Sequence, residues 1–498
     1  MEFLETILNF LMPAVPGILR TDWRAGKKTR KIRVVITHCL SDSNKGVVAV
    51  LLATIRKIRQ HYPDAEIVLH SMYREDHKRF EYHARFVRQE NVEVREGVLP
   101  TPYIDDAASG ILSDIPAIFR LFKSIVAVFS IPFLPLGVAR MLFPSQAQAY
   151  ETLQSADLIL MKGGHDIGNE PGGLRGRLHF WRILKMISIC TQSTAPVVVL
   201  GQSIGRIRSE NDGRRVRDIL KQCSKVIVRD DISREKLAGF GLSDNVTVMP
   251  DIGFLTEPEP SDARYLEHVK GKLAGITVVN WPYGDSSGSS GQTLMERYTT
   301  ALSGALERTY KDLGATPVFV LQDMTTFHGS SDMQLIDDLS ERLRRRDVPV
   351  YVIDQDLSPT ALADIYQRCD IVIGTRFHSC VLAAAAGTPS IAIEYQGTKT
   401  RGLLRSLNLE NYVHDLGSLS ADALLESIQS MFANRAVIAA SLQADVASFR
   451  SSIDTTVSEI LDELGPACDP SSPCSGHADA IDGIDDGGMS ASVTADRR

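Results

Sequence analysis

The 498-residue chain carries little that would mark it for export, for metal or for nucleic acid. Its seven cysteines, at 39, 190, 223, 369, 380, 468 and 474, include no CxxC pair and no Cys/His spacing that closes around zinc. A reducing compartment is therefore expected. There is no basic excess either. A formal net charge of -7 argues against general affinity for nucleic acid, which needs a surface that displaces counterions from phosphates. No G-x-G-x-x-G follows the first β-branched run, which speaks against a nicotinamide enzyme. Clustered carboxylates and paired histidines at ligand spacing are missing, so no metal is expected. Glu2 and Glu5 stand where a secretory signal would be positive, and export is not expected.

What is present reads as globular. Apolar residues make up 44% and charged residues 23%, enough for a large buried core, and the length calls for more than one domain. Short β-branched runs recur at 32–38, 65–70, 157–162, 196–202, 225–229 and 246–249. Helix-period segments such as 46–60 lie between them, the pattern of βαβ units around a parallel sheet. After the acidic, proline-containing stretch 256–262 a second series begins, at 275–280, 317–321, 349–353, 370–374 and 390–394. The expected fold is α/β, two Rossmann-like domains facing across a cleft. The boundaries expected are an apolar and basic appendage over 1–31, a first domain over 32–260 with an apolar insertion at 111–145, a second, donor-binding domain with closing helices over 261–464, and a disordered tail over 465–498.

In open α/β sheets ligands bind outside the carboxyl ends of the strands. The stretch 370–399 is the most informative by that rule. A strand ends at Gly374, Arg376 and His378 follow, an alanine-rich helix runs to about Ala386, and Gly387 supplies its cap. Arg376 and His378 thus stand at a strand mouth beside a helix N-terminus, where free N–H groups and the helix dipole favour an anion. A guanidinium adds a two-pronged grip on phosphate or carboxylate.

The string Gly374-Thr375-Arg376-Phe377-His378, then Gly387-Thr388-Pro389, Glu394-Tyr395 and Lys399, resembles the signature of the polysaccharide pyruvyl transferases. Three earlier strings agree in order and spacing: Gly201-Gln202-Ser203-Ile204-Gly205, Val228-Arg229-Asp230 with Ser233, and Pro250-Asp251-Ile252-Gly253-Phe254. The matches span roughly residues 32 to 430. The resemblance implies a glycosyltransferase-B type fold, phosphoenolpyruvate as donor and a glycan or glycolipid as acceptor. It places Arg376 and His378 on the donor, with Arg229 as a second cationic contact. The sequence departs from the family where Gly163-Gly164-His165-Asp166 replaces three glycines, and where the insertion 111–145 has no counterpart.

Residue chemistry leads the same way. Phosphoenolpyruvate carries a phosphate and a carboxylate on adjacent atoms, so its site needs several cations, and Arg229, Arg376 and Lys399 supply them. Ketal formation also needs a general acid and a general base. His378 is the acid candidate; Asp166 or His165 could serve as base, although Gly-Gly-His-Asp reads equally as a turn. Asn44 and Gly46 open the helix at 46–60 and could meet substrate oxygens, though capping alone would explain Asn44, and a loop anchor would explain Asp251. Gln202 and Ser203 are either donors facing the cleft or packing in a tight turn. No cofactor is expected beyond the donor substrate.

Two rivals remain. A nucleotide-sugar glycosyltransferase of this fold often has a Glu ahead of the Ala-Gly-x-Pro turn, where this chain reads Val381-Leu382-Ala383-Ala384. A non-catalytic, glycan-binding relative would have little use for Arg229, Arg376, His378 and Lys399 together. Finally, Phe3–Leu19 with the basic run Arg20–Arg33, and the insertion at 111–145, suggest a cytoplasmic protein peripheral to the inner face of the membrane, the alternative being that both apolar segments pack on the protein's own core or form a dimer contact. Neither segment is long enough to span: the charge-free run Ser124–Ala139 is broken by Pro132 and Pro135.

Overall fold

The computed structural model describes residues 31–39, 41–77, 80, 84–101, 111–168, 173–260, 266, 269–281, 290–324, 326–327, 330–395 and 397–465. The appendage up to residue 30 and the tail from residue 466 lie outside the described residues.

The first half of the chain runs β1 (Arg33–Cys39), α1 (Lys45–His61), β2 (Glu66–Ser71), β3 (Glu93–Glu96), α2 (Ile111–Ser130), α3 (Leu136–Leu142), α4 (Pro144–Gln154), β4 (Leu158–Met161), β5 (Gly164–Ile167), α5 (Gly173–Cys190), β6 (Val197–Ile204), α6 (Glu210–Leu220), β7 (Lys225–Val228), α7 (Asp231–Gly239) and β8 (Val246–Val248). Its strands form one parallel sheet in the order β3-β2-β1-β4-β6-β7-β8, with β5 pairing beside β6. The second half runs β9 (Lys272–Thr277), α8 (Gly291–Leu313), β10 (Ala315–Val320), the antiparallel pair β11 (Thr326–Phe327) and β12 (Ser330–Ser331), α9 (Asp332–Arg344), β13 (Tyr351–Ile353), α10 (Pro359–Gln367), β14 (Ile371–Gly374), α11 (Phe377–Ala385), β15 (Ser390–Glu394), α12 (Lys399–Ser406), β16 (Val413–Asp415) and α13 (Ala421–Leu464). Its parallel sheet is ordered β13-β10-β9-β14-β15-β16. These are two Rossmann-like sheets. Each reverses its strand order once, between β1 and β4 and between β9 and β14, the points at which such sheets open a ligand crevice.

Local chemistry explains the elements. The strands Val34–Ile36, Leu158–Met161, Val197–Val199 and Ile371–Ile373 are apolar on both faces because helices cover both sides of each sheet. Helices start where a side chain can accept from their orphan N–H groups: Asn44 before α1, Asp230 before α7, Ser358 before α10 and Ser420 before α13. Gly387, at φ +80, takes the left-handed conformation after α11 at no steric cost.

Every strand expected from the two series is present within a few residues. β3 and β16 escaped the sequence reading because each lies at a sheet edge and alternates charge with small apolar content, EVRE and VHD. Gly164–Ile167 is a short strand rather than a turn. The insertion is helical: α2 turns its Ala127 and Val128, and the residue that follows it, Ile131, into the first half's core. The 44-residue α13 begins against the second half, where Arg308 pairs with Asp422, and ends on the first, where the Tyr62 hydroxyl donates to the Leu461 carbonyl at 2.7 Å. The five described cysteines are buried thiols. Burial pushes Cys39, Cys190, Cys223, Cys369 and Cys380 up to about 12, which keeps them protonated and unreactive.

Candidate functional site

The carboxyl ends of β5, β6 and β7 meet those of β9, β10 and β14, and most of the expected residues assemble there. Arg229 follows β7. Its Nε donates to Ser203 Oγ and its Nη1 to Asp251 Oδ2, both at 2.7 Å, while its guanidinium lies 4.1 Å from the Phe377 ring centre. The Arg229 and Asp251 side chains are each only 3% exposed, so this pair is held away from water. Ser203 Oγ in turn donates a hydrogen bond to Asp230 Oδ2 at 2.8 Å, and Asp230 Oδ1 caps α7 by accepting from Ser233 N. Asp251 also accepts from Gly253 N at 2.8 Å, so it is at once a loop anchor and the partner of Arg229. Burial pushes its carboxyl up, but the charge and hydrogen bond of Arg229, helped by the neighbouring His378 and Gly253 N, outweigh this and hold it below the usual range.

His378 comes from the first turn of α11. Its ring lies directly on Gly46: a Cβ there would sit 2.1 Å from Nδ1, so α1 can approach α11 only without a side chain at position 46. Nε2 stands 3.8 Å from Asp251 Oδ2, beyond hydrogen-bond range, and has no hydrogen-bond partner among the described residues. Burial, with Arg229, Lys162 and Lys399 against Asp251, lowers the imidazole to about 3. In the unliganded protein at neutral pH the ring is uncharged.

Arg376 is the residue before α11. Its Nε donates to Asp332 Oδ2 at 2.8 Å, Nη2 lies 2.6 Å from the same oxygen in the ion pair, and its Nη1 donates to Asp323 Oδ2 at 3.1 Å. Asp323 Oδ2 also accepts from Asn44 Nδ2 at 3.2 Å, while Asn44 Oδ1 caps α1 at Gly46 N. Asn44 is thus a cap, as its alternative reading held, and also a tie between the halves. The backbone reinforces it: Lys45 N donates to Gln322 O and Met324 N to Ser43 O. Lys45 extends the contact through ion pairing with Asp356, which Arg85 joins at 3.0 Å. Asp323 and Asp332 were not singled out from sequence. The usable signal was position, since Asp323 lies just beyond the end of β10, at a strand mouth.

Lys399 opens α12, its ammonium 5.3 Å from the Tyr395 ring. Burial and the charges of Arg229 and Arg376, opposed by Asp166, lower it to about 7. Across from it are Asp166 and His165 on β5, where Gly164 lies in register with Gln202 of β6. The Gln202 side chain is fully buried, and neither of its amide atoms has a hydrogen-bond partner among the described residues; the same holds for Asp166 Oδ2 and His165 Nδ1. Buried polar atoms of this kind are normally satisfied, so their concentration singles out this end of the cleft as the candidate ligand site. His165 is lowered well below its usual value by burial and by Lys399, Arg229 and Lys236. Lys162 and His38, at the ends of β4 and β1, flank the same switch point and were passed over because single residues ending apolar runs give no pattern.

Residues 44–397 match the sequence profile of the family described as "Polysaccharide pyruvyl transferase". The amylovoran biosynthesis protein AmsJ of Erwinia amylovora is 22% identical over 329 residues, which cover 64% of this chain and 75% of that protein. Among solved structures, the S. aureus MnaA–UDP complex superposes with a TM-score of 0.51 at 10% identity, over 88% of this chain and 97% of that one. A putative UDP-N-acetylglucosamine 2-epimerase from Listeria monocytogenes gives 0.49 at 9% identity, over 83% and 91%. At 10% identity the likeness to the first of these concerns the fold alone, that of the two-domain glycosyltransferase-B type.

Proposed function

Because the chain belongs to the polysaccharide pyruvyl transferase family, we propose that it transfers the pyruvyl group of phosphoenolpyruvate to two hydroxyls of one sugar in a glycan or glycolipid, forming a ketal. The observation that carries this reading is the convergence of Arg229, Arg376 and Lys399 at the strand mouths, where burial and the two guanidiniums lower Lys399 to about 7 even with Asp166 opposing them. Such surroundings favour a ligand with two adjacent anionic groups. The phosphate and carboxylate would lie against Arg229, Lys399 and Arg376, with Gln202 and Ser203 nearby. The methylene carbon of the donor gains a proton, a sugar hydroxyl attacks the resulting cationic carbon, phosphate leaves, and the second hydroxyl closes the ketal. Two hydroxyl protons are released in all, one balancing the methyl group formed and one departing with phosphate.

His378 is neutral until the donor arrives; the donor's negative charge raises it, so it takes up a proton as the complex forms and then acts as the acid. Asp166, with His165 beside it, receives the hydroxyl proton. The reaction requires no metal and no further cofactor. This reading also puts the protein in the cytoplasm, where it would be peripheral to the inner face of the plasma membrane. The test is phosphate release from phosphoenolpyruvate that depends on a glycan acceptor, persists in chelator and yields a product bearing one added carboxylate. Turnover of a nucleotide sugar with no response to phosphoenolpyruvate would overturn it in favour of a glycosyltransferase.

A further inference from the structure

The outer side of the insertion carries most of the exposed large apolar side chains among the described residues. Eight large apolar side chains are exposed among the described residues, and six of them fall between positions 119 and 142: Phe119, Phe122, Phe133, Val138, Met141 and Leu142. The inner side is firmly seated. Ala127, Val128 and Ile131 are buried in the first half's core, the Tyr150 hydroxyl donates to the Val128 carbonyl at 3.2 Å, and the Lys185 ammonium lies 4.7 Å from the Phe129 ring. The outer side is therefore a rigidly presented face and not a loosely packed part of the core. A patch of this kind on a described surface marks a contact.

Charge decides what covers it. In a chain of net charge -7, no Asp or Glu lies between Asp114 and Glu151, whereas Arg120, Lys123 and Arg140 do, although Arg140 is itself paired with Glu151 at 2.8 and 2.6 Å. Cations bordering exposed phenylalanines suit the boundary of an anionic bilayer, with the rings among the acyl chains and the cations among the headgroups. No helix among the described residues is long and apolar enough to cross a membrane, so this contact lies in the interface. The position of the patch matters too. Arg120 is close enough to Asp76, in the loop after β2, to help hold that carboxyl below its usual range, although Arg74 does more. That loop is at the carboxyl end of the first sheet, the same edge that carries Asp166 and His165.

We propose that the face formed by Phe119, Phe122, Phe133, Met141 and Leu142 docks on an anionic lipid surface and presents the cleft of the first half to a lipid-linked sugar acceptor. The acceptor class rests on the transfer reaction proposed above; the docking does not. The full chain is mixed with vesicles of phosphatidylglycerol and phosphatidylcholine and floated through a density gradient, in low and high salt, alongside Phe119→Ser/Phe122→Ser/Met141→Ser. The wild type should float with the anionic vesicles and less so in high salt, and the triple variant's bound fraction should fall roughly tenfold or more. These side chains are exposed, so the variant should keep the wild-type melting temperature and its activity on a soluble sugar acceptor, while losing activity on a lipid-linked one. Wild-type protein that stays unbound at low salt overturns the docking surface. Undiminished flotation of the variant overturns its location, and a dimer that the variant dissolves assigns the face to a second copy of the chain. Should phosphoenolpyruvate not be the donor, flotation would be unchanged and only the acceptor assays would fail.

Discussion

The two arginines that a reader of the sequence would pair as donor contacts are held in different ways. Arg229 faces one carboxylate, Asp251, with a hydroxyl and a ring completing its shell. Arg376 faces two, Asp323 and Asp332, which ion-pair with all three of its nitrogens. Around Arg229 the charges balance, so the nearby Lys399 leaves that end positive. Around Arg376 they do not: burial and Asp323 raise Asp332 even against the attraction of Arg376, while the two carboxylates drive Arg376 itself above its usual value in spite of burial. The lesson is that an arginine at a strand mouth can be a ligand for an anion or a strut that aligns a helix. The Arg229 end is built more for the donor, and the Arg376 end more for fixing α11 against the other half through Asn44.

The sharpest way to break this comparison is to neutralise one carboxylate at each end. Asp251→Asn leaves the Arg229 guanidinium buried without a counter-charge, and should destabilise the protein by about 3–5 kcal/mol and abolish turnover. Urea unfolding would show it, and a loss under 1 kcal/mol would mean that Asp251 does not balance Arg229. Next in size is the ring between the two ends. His378→Gln should lower turnover at saturating donor by roughly 10²- to 10⁴-fold. Gly46→Ala should act in the same direction with His378 intact, because a methyl group there must push the imidazole away. An unaffected Gly46→Ala would show that the close approach of α1 to α11 has no catalytic meaning.

Asp323→Asn is the milder counterpart of the first change, because Asp332 remains to hold Arg376. A loss of about 1–2 kcal/mol is expected. Its kinetic signature should be distinct: the Asn44 tie weakens, so turnover falls more than donor affinity, as a positioning role requires. A rise in the donor's KM alone would instead mean that Asp323 serves only the contact between Arg376 and the donor.

How far the sequence could have carried this comparison differs between its parts. Parallel strands buried on both faces write themselves as runs of Val, Ile and Leu, and the Arg-x-His pair is legible because strand and helix signals bracket it. Asp323 and Asp332 are isolated acids, and their meaning arises only when the β9/β14 switch point brings them to Arg376. Gly46 shows the same limit from the other side. Its role is to lack atoms, which shows only once His378, more than 300 residues away in sequence, is packed against it.

The smallest effect concerns Lys399, and it separates charge from packing at the Arg229 end. In the unfolded chain the lysine holds its proton to about 10.4, whereas in the fold it releases it near 7. Between those values the unfolded state binds more protons, so this residue's contribution to stability rises with pH; below about 7 both states are charged and the full cost remains. Lys399→Met should therefore stabilise the protein by about 1–2 kcal/mol at pH 6, less than the full shift because the side chain is only partly buried, and the gain should fade toward pH 10. Donor binding should show the opposite trend. In the wild type the ammonium must be protonated to meet phosphate and carboxylate, so affinity for phosphoenolpyruvate should weaken as pH rises through 7. The variant should bind weakly throughout and lose that dependence. Thermal melts from pH 6 to 10 with calorimetric titration of phosphoenolpyruvate would measure both. A stabilisation that grows toward pH 10, or donor affinity in the variant equal to wild type at pH 6, would remove Lys399 from the donor site.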